Sequence, residues 1–199
     1  MSELKQTPSQ TVGPYFAYGL APQQYGYGSA LRAIATGDMV TAEVPGDRIR
    51  VEGCVFDGEG KTVADAMIEI WQADSLGRYA HPADPRGSNA TFTGFGRFGT
   101  GTDTEHRFIF DTIKPGAVDA SQAPHINVIV FMRGLLLHMY TRIYFSDEVA
   151  RNATDPVLNA VPTDRRSTLI AERRQSPSGI VYRFDVHMQG PNETVFFDA

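Results

Sequence analysis

The sequence is poor in cysteine, in positive charge and in long apolar runs, and each shortage excludes a class of protein. Cys54 is the single cysteine among 199 residues. Neither an intrachain disulfide nor a cysteine-based zinc site can therefore form, and we expect a buried apolar role for this side chain. The formal net charge of -5 argues against nucleic acid as the main partner, because phosphate binding needs a basic surface.

The most apolar segment, residues 128–140, is interrupted by Arg133, Gly134 and His138. It is too short and too polar to cross a bilayer, and the first residues lack the apolar stretch of a secretory signal. We therefore expect a cytoplasmic protein. Phosphate-binding glycine loops, Gly-x-Ser-x-Gly elbows and Cys/His nucleophile pairs are also missing from the sequence.

Strand signals dominate the sequence from residue 48 onward, as short runs of apolar or alternating residues between turn residues. The predicted strands cover residues 49–55, 67–71, 106–111, 126–132, 135–145 and 180–186, with a weaker one at 194–197. Residues 57–60 predict a tight turn, and residues 147–152 and 164–174 predict short helices. Many short strands with few helices predict a mainly β protein, an antiparallel β-sandwich with one or two short helices.

Residues 1–47 differ from the rest because glycine and proline punctuate them throughout, which predicts irregular structure. The segment also carries a group of large aromatic rings, Tyr15, Phe16, Tyr18, Tyr25 and Tyr27. Such rings usually bury their apolar faces. We therefore predict an N-terminal arm at residues 1–47 that packs on the core and on a partner chain, followed by one β-sandwich domain at residues 48–199.

Segments spread over nearly the whole chain resemble, in order, those of the intradiol ring-cleavage dioxygenases, ferric enzymes that open catechols. They are residues 7–11, 13–15, 68–74, 77–79, 112–116, 123–126, 141–145, 155–159, 168–171, 189–190 and 193–198. Any one of these segments alone is a weak signal, and their number and order make the resemblance specific. It implies the β-sandwich core of that family, preceded by an N-terminal arm.

In catalytic members of the family, two tyrosines and two histidines hold the iron, and phenolate oxygens suit a hard ferric ion. By resemblance, Tyr79 and His125 match one ligand of each kind. Val118 stands where the second tyrosine belongs, and Asn127 replaces the second histidine of a His-x-His pair that shares one strand face. Gln122 replaces an arginine that precedes this strand. These differences predict that the chain does not hold iron by itself.

Some members of the family pair an iron-bearing β chain with a diverged α chain that has lost the site, and this sequence resembles such an α chain. The resemblance implies a homologous β chain as partner, in αβ protomers of a larger symmetric oligomer. It implies that Fe(III) is bound by the partner β chain and that no residue here is catalytic or metal-binding. The implied reaction cleaves protocatechuate (3,4-dihydroxybenzoate) with O₂ to 3-carboxy-cis,cis-muconate, in the β-ketoadipate route.

The resemblance also implies that this chain forms a wall of the partner's pocket. Thr11, Gly13 and Pro14 match the arm segment that lines the β chain's iron pocket, and Arg133 matches an arginine that α chains lend to it. Arginine suits a substrate carboxylate because its planar donors pair with both oxygens. From the residues alone, Gly13 and Pro14 predict a plain turn, and Arg133 predicts a solvated turn residue.

Two further interpretations remain open. One is an autonomous metalloenzyme that uses Tyr79 and His125 together with His81 or Tyr144. The other is a β-sandwich interaction module without an enzymatic role, since a fold alone does not give a function. The number of protomers, the stability of the lone chain and the range of catechol substrates are not readable from this one sequence.

Overall fold

A computed structural model describes residues 9–13, 15–28, 34–87 and 91–198. These ranges contain the helices α1 (Phe16–Leu20), α2 (Val149–Asn152) and α3 (Pro156–Ala160), and 3₁₀ turns at Thr100–Thr102 and Arg166–Leu169. The strands are β1 (Arg48–Phe56), β2 (Met67–Gln72), β3 (Phe95–Gly99), β4 (Arg107–Ile113), β5 (His125–Phe131), β6 (Met139–Phe145), β7 (Ile170–Ser176), β8 (Gly179–Arg183) and β9 (Val186–His187).

The strands form two layers that are joined along one path, in the order β3-β2-β5-β6-β7-β8-β1-β4. The first layer, β3-β2-β5-β6, is antiparallel. In the second layer β1 is antiparallel to β4 but parallel to β8 and β9. β7 connects the layers because it pairs parallel to β6 and antiparallel to β8. The predicted mainly β sandwich with short helices is confirmed, with parallel pairs added at β1 and β7.

The core lies between the layers because successive side chains of a strand point to opposite faces. In β5, Ile126, Val128 and Val130 are at most 1% exposed, and they pack against residues of the second layer such as Val51 and Phe110. Burying each large apolar side chain stabilises the fold by roughly 1.5–3 kcal/mol. This inward row fixes the register of β5, so its alternate residues must occupy the outer face. The expected burial of Cys54 is confirmed at 5% exposure.

Most predicted strands are confirmed within a few residues, and the turn at 57–60 closes through a hydrogen bond from Asp57 N to Lys61 O at 2.9 Å. That turn does not form a β1–β2 hairpin, because β2 lies in the other layer. The predicted strand at 135–145 is wrong in its first part. Residues 135–138 belong to the turn after Gly134, whose φ is +93°, and β6 begins only at Met139.

Two further predictions are wrong. The predicted helix at 164–174 is a 3₁₀ turn followed by β7, because backbone pairing with β6 and β8 overrides the helical pattern of its charged residues. Residues 194–197 form no strand, and their only ladder contact is an isolated bridge between Tyr140 and Phe197. None of the helices in the described ranges is long and apolar enough to cross a membrane.

The described parts of the N-terminal arm pack on the first layer. The Phe16 ring lies 5.5 Å from the Phe131 ring, centroid to centroid. Gln24 donates to the Gly99 carbonyl at 2.5 Å and accepts from the Gly99 N–H at 2.9 Å. These contacts tie the arm to β5 and β3 of its own chain. The division into an arm of residues 1–47 and a domain of residues 48–199 stays a prediction.

Candidate functional site

The outer face of β5 carries two of the positions matched to iron ligands, His125 and Asn127, and Tyr79 lies against the same face. Asn127 Nδ2 donates to the Tyr79 hydroxyl at 3.1 Å and makes a longer contact of 3.4 Å to the Trp71 carbonyl. The Tyr79 ring stacks on the Trp71 ring with centroids 5.8 Å apart and 7° between their planes. The structure therefore brings Tyr79 and Asn127 together, but as a hydrogen-bonded pair.

A buried carboxylate places Tyr79 beside β5. Asp74 is 4% exposed, and its side chain accepts from the N–H groups of Leu76 and Arg78 at 2.9 and 3.0 Å. Gly77 closes this turn with φ +77°, and a Cβ there would lie 1.9 Å from the Ala117 carbonyl oxygen. Only glycine allows that approach, so the local sequence around Tyr79 is built for close contact with the segment that contains Val118.

An open cavity of about 530 Å³ lies against this face, lined by Trp71, Tyr79, His81, Ala83, Asp84, Pro85, Arg86 and Val118. Arg86 connects three segments of the cavity wall. Its guanidinium donates to the Val118 carbonyl at 2.7 Å, the Gly77 carbonyl at 2.9 Å and Asp84 at 2.8 Å. The Arg86 guanidinium in turn holds the pKa of the Asp84 carboxyl well below its usual range. Tyr79 and Val118 therefore face one cavity.

His125 lies on the same face of β5 as Asn127 but is covered, at 2% exposure. Its Nδ1 donates to the Ala123 carbonyl at 2.9 Å, and burial lowers the pKa of the imidazole. The Tyr144 hydroxyl, which also lies in this layer, donates to Asp155 at 3.0 Å, and burial raises the pKa of Tyr144 to about 12. Asp155 also accepts the Ala123 N–H at 2.8 Å. His125 and Tyr144 are thus held by internal hydrogen bonds.

The donor set does not fit ferric iron. Val118 offers no donor atom, and the neutral amide of Asn127 is engaged with the Tyr79 hydroxyl. Burial raises the pKa of Tyr79, which disfavours the phenolate that a ferric ion prefers. Among the described residues, no group of three or more histidine, cysteine, aspartate or glutamate side chains could hold a metal ion. His125 and Tyr144, two members of the alternative ligand sets, are instead hydrogen-bonded to the Ala123 carbonyl and to Asp155.

The other end of β5 carries two of the residues assigned to a partner's pocket. Thr11 Oγ1 accepts the Gly134 N–H at 2.9 Å, which fixes the arm against the turn that presents Arg133. The Arg133 side chain is 66% exposed and forms an ion pair with Asp65. The Gly13 carbonyl accepts the Phe16 N–H at 3.1 Å. Pro14 lies outside the described residues.

Apolar side chains surround this turn and face solvent. Leu136 and Leu137 are 63% and 67% exposed, and Tyr15 on the arm is 79% exposed. A cavity of about 190 Å³ between arm and turn is lined by Gln10, Val12, Phe16, Phe131, Met132, Leu135, Leu136, Leu137 and His138. Exposed apolar patches of this kind often mark interaction surfaces. This end of β5 lies roughly 20 Å from His125, at a strand rise of about 3.3 Å per residue.

The chain matches a family model described as Dioxygenase over residues 13–190. It is 56% identical over 200 residues to "Protocatechuate 3,4-dioxygenase alpha chain" of Burkholderia cepacia, and the match covers 100% of both chains. The chain belongs to the intradiol dioxygenase family. The β chain of the B. cepacia enzyme is 33% identical over 161 residues, covering 75% of this chain and 67% of that one.

The solved dioxygenase domain of a carbohydrate-binding fusion protein from Streptomyces sp. SirexAA-E has a similar fold. Its TM-score to this chain is 0.62 at 25% sequence identity, and the match covers 96% of this chain and 100% of that domain. The sandwich of this intradiol-family chain is therefore similar in fold to that of this solved relative.

Sequence reasoning missed three residues that shape the site of this intradiol-family chain. Arg86 ties the cavity wall, Asp155 holds the segment before β5, and Asp65 pairs with Arg133. Asp155 had a readable signal, because an aspartate before a proline is typical of a helix N-cap, and it caps α3 by accepting the Leu158 N–H at 2.8 Å. Arg86 and Asp65 had none, since their partners are distant in sequence or depend on loop conformation.

Proposed function

We propose that this chain is the α subunit of a two-chain protocatechuate 3,4-dioxygenase whose homologous β chain binds Fe(III). The observation that carries the proposal is the hydrogen bond between Asn127 and the Tyr79 hydroxyl beside Val118. This bond engages two of the positions matched to iron ligands, and the Val118 side chain has no atom that could bind iron. The full-length identity to an α chain supports the same assignment. In the complete enzyme, protocatechuate and O₂ become 3-carboxy-cis,cis-muconate as the bond between the two hydroxylated carbons breaks.

The contribution of this chain is a wall of the β chain's pocket formed by Thr11, Gly13, Pro14 and Arg133. Arg133 carries the carboxylate end of the substrate, because its guanidinium offers a planar set of donors to both oxygens. Its present partner, Asp65, is itself partly exposed, and exposed ion pairs contribute about 0–1 kcal/mol. A substrate carboxylate can therefore replace Asp65 at little cost. The hydrogen bond from Gly134 to Thr11 supports a fixed position for this turn.

The proposed partner is the β chain in αβ protomers that assemble into a larger symmetric oligomer. Exposed apolar groups of the arm and of the turn, including Tyr15, Leu136 and Leu137, support a large contact at this end of the molecule. The cytoplasmic location expected from the sequence stays a prediction.

The test is iron content and protocatechuate-dependent O₂ uptake, measured on this chain alone, on its candidate β chain alone and on the co-expressed pair. We expect stoichiometric iron and full turnover only in the co-purified complex. Stoichiometric iron with turnover in the lone chain would contradict the proposal and favour the autonomous metalloenzyme. A chain that neither joins nor activates the β chain would favour an interaction module.

A further inference from the structure

The cavity at Tyr79 has the size and the walls of a site for a small planar molecule. Its volume of about 530 Å³ falls within the roughly 300–1,000 Å³ that is common for small-molecule sites. Trp71 and Tyr79 present a stacked aromatic wall, and Val118 adds an apolar side chain. Aromatic rings favour offset-stacked or edge-to-face contact with other rings. The walls therefore suit an aromatic ligand.

One polar atom in this wall has spare hydrogen-bonding capacity. The Tyr79 hydroxyl oxygen accepts from Asn127 at 3.1 Å, and its own hydrogen has no acceptor within the part of the chain that the structure describes. A tyrosine hydroxyl can both donate and accept. Because Asn127 supplies the donated hydrogen bond and Tyr79 lines the cavity, the Tyr79 hydroxyl retains its hydrogen for an oxygen on a ligand.

The charged groups that line the cavity are already neutralised. Asp84 and Arg86 are paired at 2.7 Å, and Arg86 also donates to the backbone carbonyls of Gly77 and Val118. The Ala83 N–H donates to His81 Nδ1 at 3.1 Å. Arg86 is the one arginine or lysine among the described lining residues, and its pairing with Asp84 leaves no unpaired guanidinium or ammonium for a carboxylate; a carboxylate desolvated without a counter-ion is strongly disfavoured.

We propose that this cavity binds a small uncharged phenol without a metal ion. The ring lies against the wall of Trp71, Tyr79 and Val118, and the phenol oxygen accepts a hydrogen bond from Tyr79. The site requires no iron on this chain or on a partner, so the tests on the lone chain are independent of the α-subunit assignment.

Trp71 is a built-in reporter, because it lines the cavity and is the single tryptophan in the sequence. The full chain labelled with 5-fluorotryptophan should give one ¹⁹F resonance. We expect this resonance to shift saturably on titration with phenol, and benzoate, which has the same ring and a negative charge, to bind at least about tenfold more weakly. A resonance that does not respond to phenol, or equal binding of both ligands, would overturn the proposal.

Paired variants locate the binding. Tyr79→Phe should weaken phenol binding roughly three- to tenfold through loss of one hydrogen bond, whereas Tyr27→Phe on the exposed arm should not change it. Val118→Trp should fill the cavity and abolish binding, whereas Val149→Trp on the exposed face of α2 should leave it intact. Because Val118→Trp and Val149→Trp each add a second tryptophan, each variant is compared with its own ligand-free spectrum. If neither Tyr79→Phe nor Val118→Trp changes the affinity for phenol, the phenol binds elsewhere and the proposal is wrong.

The same titration on a complex reassembled from labelled α chain and unlabelled β chain completes the test. A Trp71 shift with phenol in that complex supports a site that persists in the assembly. A shift in the lone chain that disappears in the complex would overturn the proposal, because the cavity would then be part of the subunit interface.

Discussion

The two ends of β5 differ in whether their polar side chains are hydrogen-bonded inside the chain or exposed to solvent. At the amino end, His125 is bound to Ala123, and Asn127 is bound to Tyr79. At the carboxyl end, Arg133 projects into solvent with one exposed ion pair. Groups engaged inside the chain stabilise the fold but cannot readily act on another molecule. Arg133, just after the carboxyl end of β5, is therefore the charged group that can change its partner. The comparison predicts that substitutions at the amino end reduce stability and that substitutions at the carboxyl end alter substrate specificity.

The largest expected effect is at the amino end, for Asp155→Asn. Asp155 is fully buried and accepts hydrogen bonds from Ala123, Leu158 and Tyr144. An asparagine would set an NH₂ group against one of these donors, so we expect the free energy of unfolding to fall by about 3 kcal/mol. Urea denaturation of the full chain measures this.

Asp164→Asn is the matched control, because Asp164 is exposed and the change should stay within about 0.5 kcal/mol. In the assembled enzyme, Asp155→Asn should leave KM for protocatechuate unchanged at a temperature where the protein is folded. If Asp155→Asn lowers the free energy of unfolding no more than Asp164→Asn does, the hydrogen bonds at the amino end of β5 do not stabilise the fold as proposed.

Arg133→Ala should have the next largest effect, and at the carboxyl end it should alter specificity instead of stability. Loss of charge-assisted hydrogen bonds to the carboxylate should raise KM for protocatechuate about 10- to 100-fold. Catechol lacks that carboxylate, so its KM should change little. Steady-state O₂ uptake by the complex measures both constants, with Arg174→Ala, another exposed and paired arginine, as the control. Equal increases for both substrates would remove the carboxylate role from Arg133.

Thr11→Val tests the arm's hold on the same turn and should have a smaller effect. The substitution keeps the shape but removes the acceptor of the Gly134 N–H. Loss of one exposed hydrogen bond, about 0.5–1 kcal/mol, should raise KM for protocatechuate about two- to fivefold without changing kcat. Thr11→Ser retains the hydroxyl and should restore KM. If Ser and Val behave alike, the hydrogen bond does not position the turn.

The smallest effect concerns pH and the amino end. Burial lowers the pKa of His125 in the folded chain, so near pH 6.5, where an ordinary histidine titrates, the unfolded state binds more protons than the folded one. The free energy of unfolding should therefore fall as pH decreases through that region. Urea titrations at pH 7.5 and 5.5 should show a larger loss in the native chain than in His125→Gln. An identical loss in both would mean that His125 protonates equally in the two states.

The strands that the sequence predicts well are those whose alternation matches a buried face. β5 is one example, since Ile126, Val128 and Val130 point into the core. β7 was not predicted because only Ala171 of this strand is buried, so no alternating apolar pattern is present. The spacing of its charged residues instead predicted a helix. β3 escaped because Gly96 and Gly99 carry no strand signal.

In the candidate site, the sequence located individual residues but not the contact between them. Resemblance located Tyr79, His125, Asn127 and Val118, because each lies within or beside a recognisable segment. The hydrogen bond that joins Tyr79 to Asn127 was not predictable, since it depends on how the turn at Asp74 folds back over β5.

The parallel pairing of β1 with β8 has a consequence for biosynthesis. Ile49 emerges from the ribosome well before its neighbour Ile180, which lies about 130 residues later in the chain. At about 5–20 residues per second, one flank of β1 waits on the order of ten seconds for its partner strand. During that interval a nascent chain carries an open strand edge, which can pair with other chains. Shortening the chain before β8 should leave that edge open permanently and produce aggregates.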